Sequence, residues 1–239
     1  MPPLGSPMMR KHFKDQIRDI RAVLFGLSVC EIELVGKRRT QEGRLDDPVI
    51  WYPLPVSLAR PTVWLQATTA READGKEVPL PRYDRHPLSD DEGLYPGEFN
   101  AWELQVLEAE LKRSGTVGWY RNPARASQDS LGIFHEANAS TGIVRPDFIF
   151  FSRVSDGKIV ADIVDPHGAH LSDSLPKLKG LAAYAKANAA LLRRVEAVAV
   201  ISGRYHVLDL TEQRVRDAVA SANSAHTLYT SDLATEFLA

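Results

Sequence analysis

Cysteine is almost absent: Cys30 is the only one in 239 residues. A single thiol excludes an internal disulfide framework and a cysteine-rich zinc site, and its neighbours Val29 and Ile32 suggest a small buried hydrophobe. A reducing, cytoplasmic setting is the expectation. An excess of charge of either sign is also missing. A net charge of -2 and a pI near 6.4 exclude nucleic-acid binding through global excess charge, so any such contact must come from a local patch. Long apolar runs are missing as well. The first residues, Met1 to Lys11, carry no apolar signal core, and no later stretch is long and apolar enough to span a bilayer. A soluble, intracellular chain with no membrane partner is therefore expected. Several catalytic motifs are absent too: there is no Gly-x-x-x-x-Gly-Lys-Ser/Thr loop, hence no ATP-binding core of the chain's own, no Gly-x-Ser-x-Gly elbow and no His-Glu-x-x-His. No internal repeat is visible.

What is present is ordinary globular composition, 44% hydrophobic and 25% charged, enough for one good core with a smaller appendage. The first part has mixed patterning. Ile17, Ile20, Ala22, Val23, Leu24 and Leu27 suggest a helix, whereas Cys30 to Val35 alternates like a strand. Many prolines, the turn at Asp74-Gly75 and the polar run Ser89 to Gly93 then read as short strands and loops leading to a boundary near residue 95. Residues 1–95 are thus expected to form an N-terminal extension, accessory or helicase-linking, and residues 96–239 the main domain.

Beyond that boundary the pattern is regular. Asn100 with Glu103 three positions on has capping-box spacing, and Trp102, Val106, Leu107 and Leu111 recur at helical intervals until Ser114-Gly115, which predicts a helix over Ala101–Arg113. Strands are expected at Val117–Tyr120, Leu131–Phe134, Phe148–Phe151 and Ile159–Val164, the last two joined by the hairpin turn Ser155-Asp156-Gly157. Ser172-Asp173-Ser174 then reads as the capping region of a helix carrying Leu175, Leu178, Leu181, Ala182 and Tyr184. Val195–Ile201 and Tyr205–Leu210 read as strands, and Thr211-Glu212 opens a last helix with Val215, Ala218 and Val219. This order predicts an α/β fold with a central mixed sheet flanked by helices.

Chemistry concentrates at two strand ends. Asp147 closes the turn Arg145-Pro146-Asp147 before one apolar strand, and a neighbouring strand delivers Asp165-Pro166-His167-Gly168. Two carboxylates so placed could share a hard cation, magnesium or manganese, and would repel each other without one. Equally, aspartates beside turns cap backbone amides. His167 and His170 could bind a transition metal, orient water, donate to a phosphate oxygen, or simply be solvated; a zinc or iron site of His167, His170 and Asp165 is one competing idea. Glu103 is explained by its capping role. Lys177 and Lys179 read as a solvated face, Trp119 as core. Arg121, Arg125, Arg145, Lys177, Lys179, Arg193 and Arg194 could supply local positive charge to phosphates.

The segment from about Glu98 to Leu210 resembles the PD-(D/E)xK nuclease superfamily, whose core runs helix, three-strand meander, helix, strand. More narrowly, Asp91 to Pro96, Asn100 to Glu103, Trp119 to Pro123, Arg145 to Ile149 and Asp165 to Gly168 look like the C-terminal nuclease-like region of bacterial DEAD/DEAH-box helicases, relatives of the restriction subunit of type III restriction enzymes. The resemblance implies a restriction-endonuclease-like core and a phosphodiesterase acting on DNA with Mg2+ or Mn2+, beside or excised from a helicase, in phage defence. By position, Asp147 and Asp165 match the two metal-binding acids and Glu103 the helix glutamate that joins them. His167 stands where the catalytic lysine would be, so that it would contact the scissile phosphate or the attacking water, and Lys177 or Lys179 would supply a displaced lysine. Arg121, Arg145, Lys177 and Lys179 would contact DNA. Asp162 is a second candidate for the second acid. The alternative expectation is a catalytically degenerate nuclease fold that binds DNA or docks on a helicase.

Overall fold

The computed structural model describes Ile20 and residues 68–90, 92–125, 130–137 and 140–237. The helix expected over Ile17 to Leu27, the strand at Cys30 to Val35 and Cys30 itself lie outside the described residues, Ile20 excepted; Ile20 is buried in the main core. Among the described residues four short strands come first: β1 (Thr69–Arg71) pairs with β2 (Glu77–Pro79), and β3 (Arg82–Asp84) with β4 (Leu94–Pro96), both antiparallel. These agree with the short strands and loops expected from the prolines there.

Helix α1 (Ala101–Lys112) begins as its spacing predicts. The Asn100 side chain accepts from the Trp102 and Glu103 backbone N–H groups, and the Glu103 carboxylate accepts from the Asn100 N–H at 3.0 Å, so orphan amides of the first turn are satisfied reciprocally. The helix leads into β5 (Thr116–Arg121), then the hairpin β6 (Ile133–Ala137) and β7 (Ser140–Val144), then β8 (Phe148–Arg153) and β9 (Ile159–Pro166). Between β8 and β9, Gly157 adopts φ +85°, which a side chain would oppose. Helix α2 (Ser174–Ala187) crosses to β10 (Leu192–Ile201), which is followed by β11 (Arg204–Asp209), α3 (Gln213–Ser221), α4 (Ala225–Tyr229) and β12 (Thr235–Glu236).

Among the described residues six strands make the central sheet, in the order β12-β11-β10-β9-β8-β5. Only the β9/β10 pair is parallel, as a helical crossover through α2 requires. Both faces are covered, so β8 reads as a continuous apolar run: Phe148 and Phe150 enter the core shared with Val106 and Leu107 of α1, whereas Ile149 and Phe151 enter the core shared with Leu178 and Leu181 of α2. The fold is mixed α/β with helices flanking a mixed sheet.

One expected cap differs. Asp173 makes no side-chain capping hydrogen bond, and the Ser174 hydroxyl turns back to the Gly168 carbonyl. The loop after β9 is thereby tied to the start of α2. Three elements, β7, α4 and β12, were not expected from the sequence.

Candidate functional site

Register brings the two strand-end acids together. Phe148 pairs with Val164, so Asp147, one residue ahead of β8, lies across from Asp165 near the end of β9. The Asp147 backbone N–H donates to Asp165 Oδ1 at 3.0 Å, and the Asp147 carbonyl accepts from the Asn122 N–H at 3.0 Å. The turn Arg145-Pro146-Asp147 is thus bolted to both neighbouring strands.

Arg121, the last residue of β5, reaches into this corner. Its guanidinium pairs with Asp147 Oδ1 at 2.9 Å and with Glu103 Oε1 at 2.7 Å. It also lies over the Phe148 ring, 4.9 Å from the centroid. On the other side, His167 Nδ1 stands 3.2 Å from the Asp165 carbonyl and 3.4 Å from its carboxylate, both acceptors, which puts the ring proton on Nδ1. Nε2 then accepts from the Tyr229 hydroxyl at 3.1 Å. A polar chain Glu103–Arg121–Asp147–Asp165–His167–Tyr229 therefore runs across the end of the sheet.

The electrostatics follow from that chain. Burial, the neighbouring Asp165 charge and, less strongly, Glu103 push the Asp147 carboxyl up to about 7, against the pull of Arg121. Burial and the Asp165 charge raise the Tyr229 phenol well above its ordinary range, so it is a hydrogen-bond donor and not a phenolate. Behind Arg121, fully buried His86 is stacked on Tyr95 and faces the backbone N–H groups of Leu88 and Arg121 with its two ring nitrogens, each at 3.1 Å. Burial lowers its pKa far below the ordinary value; the neutral ring accepts from one of these two amides, whereas an imidazolium would aim N–H at both.

Glu103, Asp147 and Asp165 are thus brought to one end of the sheet, with His167 beside them. Lys177 pairs instead with Asp173, one turn back, at 2.5 Å. Lys179 is half-buried and has no ion pair among the described residues, nor does Arg145, whose buried Nε lacks a hydrogen-bond partner. His170 is exposed. Asp162 lies on the other face, held by Ser152 at 2.8 Å, Arg193 and Arg194, in a network that continues to Glu110 and Glu196. Sequence reasoning missed Tyr229, the ion-pairing role of Arg121 and the part of His86. Tyr229 had a signal: Ser224 precedes Ala225, Leu228 and Tyr229 at helical spacing.

Three carboxylates suit a hard cation chemically. Their arrangement does not fit one as it stands. The Arg121 guanidinium already bridges two of the three acids, and Glu103 spends its other oxygen on the helix cap. Among the described residues, no group of three or more His, Cys, Asp or Glu side chains is disposed to hold a metal ion.

Fold and site define a mixed α/β protein whose acids are gathered around an arginine at the end of the central sheet. The YagJ family model matches residues 84–238, more than half the chain, and the chain belongs to that family. It is 48% identical over 185 residues to Protein YagJ of Escherichia coli (strain K12), an overlap that covers 77% of this chain and 75% of that protein. No solved structure matches. Among the described residues no helix is long and apolar enough to cross a membrane.

Proposed function

We propose that this chain carries a restriction-endonuclease-like domain that binds DNA without cutting it and docks beside a helicase. Support for the fold comes from element order: α1, the antiparallel set β5, β8 and β9, then α2 and β10 parallel to β9, matches the helix, three-strand meander, helix, strand order of the resemblance. Asp147 and Asp165 fall at the strand ends where that core carries its acids.

The observation that carries the loss of cutting is His167. Both of its ring nitrogens are engaged, one by Asp165 and one by Tyr229, and Lys177 is engaged by Asp173. Neither His167 nor Lys177 is free to give a phosphate oxygen the fixed positive charge that a lysine supplies, and this reading gives the remaining lysine of the resemblance, Lys179, to DNA contact instead. DNA contact falls to cations without an ion-pair partner among the described residues, Lys179 and Arg145. With a net charge of -2, that contact is local and salt-dependent.

Fluorescence anisotropy with labelled single- and double-stranded DNA tests the reading. Binding is expected at low salt, weaker as salt rises and weaker in Lys179→Ala and Arg145→Ala, with the DNA recovered intact after incubation with magnesium or manganese. Absence of binding at low salt defeats it. A second reading, a magnesium- or manganese-dependent nuclease, is favoured by the strongly raised Asp147 carboxyl, a perturbation that clusters at functional sites. Metal-dependent cleavage abolished by Asp147→Ala would establish that second reading instead.

A further inference from the structure

Arg121 is more firmly seated than an arginine waiting for a nucleic-acid phosphate. Its two terminal nitrogens are committed to Glu103 at 2.7 Å and Asp147 at 2.9 Å, and one also reaches the Asp147 carbonyl at 3.4 Å. Its guanidinium lies over the rings of Phe148 and Phe99, 4.9 and 5.8 Å from their centroids. Its backbone N–H is fixed by the buried His86 ring at 3.1 Å. Glu103 is itself fixed, because the capping box of α1 sets its rotamer. A planar fork held between two positioned carboxylates and stacked on aromatic faces is a strong guanidinium seat, and an arginine does not lose its proton.

We propose that Arg121 is the resident cation of this acid cluster and excludes a divalent metal from it. The inference rests on the reading of a non-cutting domain and names what keeps the inherited acids from metal. An incoming dication would stand against a guanidinium on the same two carboxylates, in a setting where the charges are partly withdrawn from water and their repulsion is weakly screened. It would also have to displace a partner that the chain presents at permanent, high effective concentration. Without the guanidinium, Glu103 from α1, Asp147 from the start of β8 and Asp165 from the end of β9 become hard oxygen donors lacking a counter-charge.

The test is manganese binding to the full chain, followed by the electron paramagnetic resonance of free Mn2+ in wild type, Arg121→Ala and the double variant Arg121→Ala/Asp147→Asn. Arg121→Ala is expected to bind manganese about tenfold or more tightly than wild type, with the gain lost in the double variant. Arg121→Gln, which keeps bulk and hydrogen-bonding capacity without charge, replaces Arg121→Ala if the latter fails to fold. A folded neutral variant that binds no better than wild type overturns the inference and leaves the non-cutting reading standing. Wild type that binds manganese as tightly as the neutral variant also overturns it. DNA cleavage by that wild-type sample would overturn the non-cutting reading as well.

Discussion

Asp147 carries the conflict of this site in one side chain. Its carboxyl is raised from the ordinary 3.8 to about 7, first by burial and then by Asp165. The folded chain therefore keeps a proton that the unfolded chain releases, so folding takes up a proton between about pH 4 and pH 7. Stability from this group falls as pH rises through that window. The full cost, on the order of 4 kcal/mol, is present above pH 7. Asp147→Asn removes the titration, and urea denaturation at a series of pH values should show the variant gaining on wild type across the window. A difference that stays constant with pH would contradict the assignment. Asp147 and Asp165 were legible as a pair because both stand where strands end. The Arg121 pairings were not, since Glu103 lies 18 residues from Arg121 and Asp147 lies 26 away, and no local pattern records such contacts.

Elements were more readable than side-chain partners. The strands β8 and β9 follow from apolar runs around Gly157, and α1 from an Asn100–Glu103 box that the structure realises. Helix α4 escaped because its signal, Ser224 before Ala225, Leu228 and Tyr229, spans little more than one turn, and β7 because Gly142 and polar neighbours weaken its strand signal. Yet α4 matters to the site. Its Tyr229 is fully buried and pins His167, joining the C-terminal helices to the end of β9. Tyr229→Phe would leave Nε2 of a mostly buried imidazole without its donor, and a loss of about 1 kcal/mol is expected in urea denaturation. Unchanged stability would show that the bond contributes nothing and that packing alone holds α4.

Among the described residues, a second set of buried acids is matched by arginines away from the sheet end. The Asp162, Glu110 and Glu196 carboxylates meet Arg193, Arg194 and Arg113 where α1 crosses β8, β9 and β10. Burial works against the Arg194 charge, but the Glu110 hydrogen bond and the surrounding carboxylates hold its pKa above the ordinary value. Breaking such a pair strands a buried charge, which makes this network a structural brace distinct from the polar chain at the sheet end. The same matching of charge applies at that end, where Arg121 stands among the acids in place of a metal. A crystal soaked in manganese, with anomalous scattering recorded above the manganese edge, tests this most directly. The account predicts no anomalous peak among Glu103, Asp147 and Asp165, with the Arg121 guanidinium in density between Glu103 and Asp147. A manganese peak on those carboxylates, with Arg121 turned away, would contradict it.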